Sequence, residues 1–291
     1  MMNTAILPPW IILDPLIKSW LIEDIGRGDR TTDALFSQSP HTSCAQWQVK
    51  EAGVIAGLPL AARVFYLLDP EINFTPLITE GEFCQDKKII AQIKGKTASL
   101  LTGERVALNL VMRLSGIASS TRLYADKIAD LPAKLVDTRK TTPGLRILEK
   151  YASSVGGAIN HRLGLDDAVM IKDNHIQAAG SIEKAITEVR GRVPYPLTIE
   201  VETSNRQEVE QALKSGADII MLDNMGEKGM KEAVEIIRNF NPKIPIEASG
   251  NITLERIRAV AETGVDFIST SAPITRSSWL DLSMTMTRLF P

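Results

Sequence analysis

LTIEVETSNRQEVEQALKSGADIIMLDN (residues 197–224) decides the fold. An apolar run, Leu197–Val201, gives way to a helix-like stretch and then to a second apolar run, Asp218–Leu222. The rhythm continues on both sides in Lys134–Asp137, Ala168–Ile171, Ile244–Ala248 and Val265–Ile268. The spacing is roughly that of a βα unit, about 30 residues with its crossover. Strands alternating with helices imply a parallel sheet. With a further short strand expected near Ser154–Gly157, this part of the chain predicts a closed or nearly closed α/β barrel.

Each run ends in polar or charged residues. In order they are Arg139 with Lys140, Lys172, Glu202, Asp223, Ser249 with Gly250 and Asn251, then Thr270 with Ser271. Active sites of α/β barrels are built at the C-terminal strand ends and the loops after them. Any one βα loop is polar anyway, but the whole set points to a site.

Residues 138–175 carry Arg139, Lys140, Arg146, Lys150, Arg162 and Lys172, with His161 and His175, on a chain whose net charge is −2. Burying cations without partners is costly, so their convergence on one cavity implies a ligand with several negative charges. Guanidinium forks suit carboxylate or phosphate, and Lys140 and Lys172 act as point charges beside them. His161 adds a directional donor. His175 reads equally well as a structural residue, and Arg146 and Lys150 fit the exposed face of the following helix. Glu202 and Asp223 would face the cations. They suit Mg²⁺ held mostly through water, or positive charge developing on a sugar carbon; salt bridging to the nearby cations is the plainer alternative. Glu200 and Glu202 share one side of a strand, and Glu202 lies nearer its C-terminal end. Ser249–Asn251 and Thr270–Ala272 follow the last two strands, where a phosphate site recurs in barrels.

The chain has 291 residues, 44% hydrophobic and 23% charged, enough for one large barrel or two domains. Its near-neutral charge argues against a general nucleic-acid or acidic-membrane binder. Cys44 and Cys84 make neither a disulfide framework nor a metal set, as expected of reduced thiols in a cytoplasmic protein. The N-terminal MMNTAILPPWIILDPLIKSW is broken by Pro8, Pro9 and Pro15 and lacks a basic leader, so it is not expected to be a signal peptide. No run reaches the roughly 18 apolar residues of a membrane span. Ahead of the barrel, Ile12–Asp24 and Ala98–Ile128 read as helices and Gln46–Val54 and Lys87–Ile93 as strands, with EDIGRGDRTTDAL as a turn.

DTRKTTPGLR, EKYA, GGAINHRLGL and KDNH together resemble the quinolinate phosphoribosyltransferase family (nicotinate-nucleotide pyrophosphorylase, carboxylating). The likeness continues through IEVE, IIMLDN, EASGNI and GVDFIS, and covers EDIGRGDRTT and GERVALN near the N-terminus. It implies an N-terminal α/β sandwich (1–115, rejoined by 276–291) and an incomplete, seven-stranded parallel α/β barrel (116–275). It implies phosphoribosyl transfer from phosphoribosyl pyrophosphate to quinolinate with decarboxylation, Mg²⁺ and no organic cofactor. Thr138, Arg139, Lys140, His161, Arg162 and Lys172 match the quinolinate and basic site, and Glu202 and Asp223 the carboxylates near ribose and Mg²⁺. Ser249–Asn251 and Thr270–Ala272 match the 5′-phosphate loops. The family works as a dimer or as a hexamer of dimers, with an arginine entering the partner's barrel. Arg105 matches it, although by itself Arg105 reads as a helix surface residue. Two places depart from the pattern. Asn251 replaces a second glycine after Ser-Gly, and Ser271-Ala272-Pro273 replaces a Gly-Ala-Leu-Thr type of loop. The alternatives are a phosphoribosyltransferase for another aromatic acid, a Schiff-base lyase using Lys140 or Lys172, and a non-catalytic phosphosugar-binding module.

Overall fold

The computed structural model describes residues 5–36 and 41–288, and the outermost parts of the N-terminal stretch and of the C-terminal return lie outside them. The chain forms two compact units. One comprises Met1–Ser120, Ile147–Gly156 and Arg276–Pro291; the other comprises Thr121–Arg146 and Gly157–Thr275.

The first unit opens with α1 (Trp10–Ile25) and α2 (Arg30–Phe36), the second of which falls within the stretch expected as a turn. Then come β1 (Thr42–Val49), β2 (Gly53–Val54), α3 (Leu58–Leu68), β3 (Asn73–Pro76), β4 (Phe83–Cys84), β5 (Ile89–Lys96) and the long α4 (Thr97–Lys127). β1 alternates outward and inward residues, and its inward Trp47 meets the edges of Phe65 and Phe74 at 6.3 and 5.7 Å between ring centres. Offset and edge-to-face aromatic packing of this kind adds to the area buried.

The chain continues as β6 (Lys134–Val136), α5 (Arg146–Gly156), β7 (Val169–Ile171), α6 (Asp173–Ala179), α7 (Ile182–Arg190), β8 (Ile199–Thr203), α8 (Arg206–Lys214), β9 (Ile219–Asp223), α9 (Glu227–Phe240), β10 (Ile246–Ser249), α10 (Ile257–Ala261), β11 (Phe267–Ser269) and α11 (Ala272–Thr275). The six strands, all in the second unit, form one parallel sheet in the order β6-β11-β10-β9-β8-β7. A parallel bridge from Ile159 to Val136 adds a seventh strand position beside β6. That bridge corrects the strand expected at Ser154–Gly157, because Ser154–Gly156 complete α5 and Gly157 is the turn after it. The helix buries every residue from Leu148 to Gly156, so a continuous run of burial there does not mark a strand. The same burial corrects the placement of Lys150 on an exposed face, since its relative exposure is 1%.

Most of α5 belongs to the first unit, and two contacts hold it there. Arg113 donates to Glu149 at 2.6 Å, and the Tyr151 hydroxyl donates to Glu80 at 2.8 Å. Glu80 also accepts the Gly57 and Leu58 amides at the start of α3, while burial raises its pKa. The chain closes with β12 (Leu282–Arg288), antiparallel to β1, in a sheet ordered β12-β1-β5-β3. Among the described residues, no helix is long and apolar enough to cross a membrane.

Gly116 on α4 lets the segment before β12 approach the helix backbone. A Cβ there would lie 3.2 Å from the Trp279 Cα and overlap the Ser278 carbonyl. Gly116→Ala is expected to destabilise the protein by about 1–3 kcal/mol, the range for overpacking, seen as a lower urea midpoint; an unchanged midpoint would show that the tail is not packed this way.

Candidate active site

Parallel pairing in register brings the C-terminal ends of the strands to one edge. Ile171 lies opposite Val201, Thr203 opposite Leu222, Asp223 opposite Ser249, Ala248 opposite Ile268, and Ser269 opposite Val136. The loops carrying Thr138–Lys140, Lys172, Asn224, Gly250–Asn251 and Thr270–Ala272 therefore leave the sheet on one side, with Glu202, Asp223 and Ser249 at the strand ends.

Buried Asp137, at the end of β6, organises the first of these loops. Its carboxylate accepts the His161 amide at 2.8 Å and the Asn160 side chain at 2.6 Å, which staples residues 159–161 beside β6. Arg146 joins the neighbouring loops by donating to the Thr141 hydroxyl and the Leu163 carbonyl, both at 3.1 Å. Arg162 donates to the Ala168 carbonyl at 2.8 Å. Its guanidinium is held below its ordinary pKa, first by burial and then by the positive charge of Arg139. The positive charge of Arg139 thus bears on Arg162, and an anion would relieve that repulsion.

Lys172 stands before α6, with its ammonium 3.3 Å from Glu202. Its amide donates to His175 Nδ1 at 3.0 Å, so His175 caps the helix. Burial raises the pKa of Glu202; Lys172 works against that rise, and the charge of nearby Asp223 adds to it. Asp223 accepts from the Asn224 amide group at 2.6 Å, and Asn224 Oδ1 in turn accepts from Asn251 at 3.0 Å.

The Ser249–Asn251 loop is tightly built. Gly250 has φ +92° and Asn251 φ 52°, and a Cβ on Gly250 would sit 2.6 Å from Asn224 Cγ. Glycine is needed there both for the left-handed backbone and for the close approach. Arg256 donates to the carbonyls of Gly250, Asn251 and Met225 at 3.3, 3.4 and 2.8 Å, and pairs with Glu227 at 2.7 Å. In the last loop, the buried Thr270 hydroxyl donates to the Ile252 carbonyl at 3.1 Å and accepts the Ala272 amide at 3.3 Å. Thr270 and Ala272 are thereby engaged in the framework, and the loop has less to offer an anion than Ser249–Asn251.

Sequence reasoning missed Arg256 and the buried Glu247. Nothing around Arg256 in sequence marks it as a brace for two loops. Glu247 did leave a signal, because it precedes Ser249 by two residues as Glu200 precedes Glu202. Glu200 and Glu247 both lie inside the barrel near His161, whose Nε2 is 3.2 and 3.5 Å from them. His161 thus turns its ring toward these interior carboxylates. Arg105 lies on α4 in the first unit and is exposed.

Residues 29–115 match the model for the quinolinate phosphoribosyl transferase N-terminal domain, and residues 117–285 the model for its C-terminal domain. The probable nicotinate-nucleotide pyrophosphorylase [carboxylating] of Synechocystis sp. is 63% identical over 282 residues, covering 97% of this chain and 95% of that protein. The human nicotinate-nucleotide pyrophosphorylase [carboxylating] is 37% identical, covering 96% and 93%. The crystal structure of NadC from Streptococcus pyogenes superposes with a TM-score of 0.92 at 40% identity, covering 97% of this chain and 99% of that one. On these matches along nearly its whole length, the chain belongs to the quinolinate phosphoribosyltransferase family.

Proposed function

We propose that this protein transfers the phosphoribosyl group of phosphoribosyl pyrophosphate to the ring nitrogen of quinolinate, releasing pyrophosphate and CO2 and forming nicotinate mononucleotide. The observation that carries this reading is a rim where the positive charge of Arg139 bears on Arg162 and Lys172 stands 3.3 Å from Glu202. A diacid neutralises the first group; a sugar developing positive charge suits the second.

Arg139 and Arg162 pair with the quinolinate carboxylates, with Lys140 and Thr138 beside them, and orient the ring nitrogen toward the anomeric carbon. Charge-assisted hydrogen bonds of this kind contribute roughly 1.5–3 kcal/mol each. His161 backs Arg162 through the Arg162 amide, 2.7 Å from its Nδ1. Glu202 and Asp223 favour the oxocarbenium character that grows on the sugar as the pyrophosphate bond breaks. Ser249, Gly250 and Asn251 hold the 5′-phosphate, with Ser271 and its neighbours Thr270 and Ala272 second to them. Bond formation makes the ring nitrogen formally positive, so the adjacent carboxylate leaves as CO2 and the electron pair of the broken bond stays on the ring carbon beside that charge. Lys140, exposed at the rim, protonates that carbon. No organic cofactor is required, since the substrate is its own electron sink.

Mg²⁺ fits these residues in one way. Glu202 is already engaged with Lys172 and Asp223 with Asn224, so the two carboxylates suit a cation held through water or substrate oxygens. When bound, it supplies neutralisation of pyrophosphate charge. The reading extends to a cytoplasmic homodimer, or a hexamer of dimers, in which Arg105 of a second copy completes the diacid site.

Purified protein with quinolinate, phosphoribosyl pyrophosphate and Mg²⁺ is expected to release CO2 and form the mononucleotide, with nicotinic acid far poorer; equal use of nicotinic acid would reject the diacid site. Gly250→Ala is expected to raise KM for phosphoribosyl pyrophosphate by about tenfold or more, since small displacements of a positioning loop are costly, with KM for quinolinate changed less. Lys140→Met should lower turnover, and unchanged turnover would remove its role as proton donor. The ionised Glu202 is the useful form and its pKa is raised, so kcat should fall as pH drops through a value above the ordinary glutamate range. Lys172→Met removes an influence that lowers that pKa, and the acid limb of kcat should move to higher pH.

A further inference from the structure

Beneath the rim lie two carboxylates that the proposed reaction leaves without a role. Glu200 on β8 and Glu247 on β10 are 4% and 5% exposed, each two residues before an inward group of the rim. Both approach His161, whose Nε2 is 3.2 Å from Glu200 Oε2 and 3.5 Å from Glu247 Oε2. The second oxygen of each carboxyl is buried without a hydrogen-bond partner. Buried ionised oxygens in that condition are expensive, so the cluster needs an explanation.

A cation is the first explanation to weigh, because one ligand atom from each of His161, Glu200 and Glu247 falls within 4.8 Å of the others. The other face of the histidine ring argues against it. The Arg162 amide donates to His161 Nδ1 at 2.7 Å. A ring nitrogen that accepts a hydrogen bond carries no proton, so in the neutral ring the proton sits on Nε2 and points at the carboxylates. That nitrogen then has no lone pair for a metal. Glu200, nearer to Nε2, is the first acceptor of that proton and Glu247 the second. Burial, followed by the charge of Glu200, pushes the pKa of Glu247 up to about 7, against the lowering influence of His161 and Ser269.

We propose that Glu200 and Glu247 are positioning residues that hold His161 as its Nε2–H tautomer and so fix the Arg162 amide and the guanidinium that follows it. The contacts run from both carboxyl groups to His161 Nε2 and from His161 Nδ1 to the Arg162 backbone. Arg162 is then held in the field of Arg139 before any anion arrives.

The kinetic part of this inference rests on quinolinate being the substrate; the tautomer does not. The chain has three histidines, so histidine-¹⁵N spectra of the full protein can be assigned with His41→Gln and His175→Gln variants. At pH 7.5, His161 is expected to be neutral with its proton on Nε2. An imidazolium, a proton on Nδ1, or a metal-shifted Nε2 in protein given Mg²⁺ or Zn²⁺ would overturn the proposal, and this measurement needs no core variant to fold. In kinetics, Glu200→Leu and Glu247→Leu should raise KM for quinolinate by about tenfold, the loss of one good hydrogen bond, with smaller changes in kcat. Glu200→Gln and Glu247→Gln should each recover most of that loss, because the amide oxygen still accepts from Nε2–H. Glutamine variants as impaired as the leucine variants would overturn the role of these side chains as acceptors. A protein with the expected tautomer but no quinolinate turnover would instead refute the substrate assignment.

Discussion

Parallel strand pairing in register is the constraint on which the site depends. In a parallel sheet every strand points the same way, so residues at strand ends, tens of positions apart in sequence, come out on one edge. Asp223 opposite Ser249 and Ser269 opposite Val136 fix that alignment to the residue. Moving one strand by a single residue would exchange its inward and outward side chains, carrying Glu202 or Ser249 out of the rim. The apolar side chains between the sheet and its helices, such as Ile199, Val201, Ile220, Leu222, Ile246 and Ala248, therefore secure the register as well as the stability of the barrel.

The same alternation sorts charges by depth. On β8, Glu202 is partly open to solvent and pairs with Lys172, while Glu200 is buried beneath it. On β10, Ser249 is partly exposed and Glu247 is buried. Charges at the upper level meet solvent or ligand and stay ionised at modest cost. Those at the lower level must find partners within the protein. The barrel interior is thus a polar floor under a charged rim, with His161 and Arg162 joining the two.

Much of this was legible in sequence. The βα rhythm from Lys134 onward located all six strands of the barrel sheet to within a few residues, because short apolar runs bounded by polar loops are what a buried parallel strand requires. The cation cluster and the two rim carboxylates were visible because charge at a strand end has few structural uses. Three things were not legible. The buried run ending at Gly156 looked like strand because burial on every side of a helix erases its period. Lys150 looked exposed because lysine nearly always is. Arg256 gave no local sign, since it braces loops that meet only after folding, and Glu247 gave only its place two residues before Ser249, its partner being a histidine 86 positions earlier, counting from His161 to Glu247.

The placement of β12 has a consequence for biosynthesis. β1 has β5 on one side and β12 on the other, yet β12 leaves the ribosome only after the entire barrel. Throughout translation of the barrel, β1 is an edge strand with unsatisfied backbone groups, and Trp47 belongs to a sheet missing a neighbour. Open edges invite pairing with other nascent chains. The N-terminal unit is thus begun first and completed last, and chaperone demand should concentrate on that long interval.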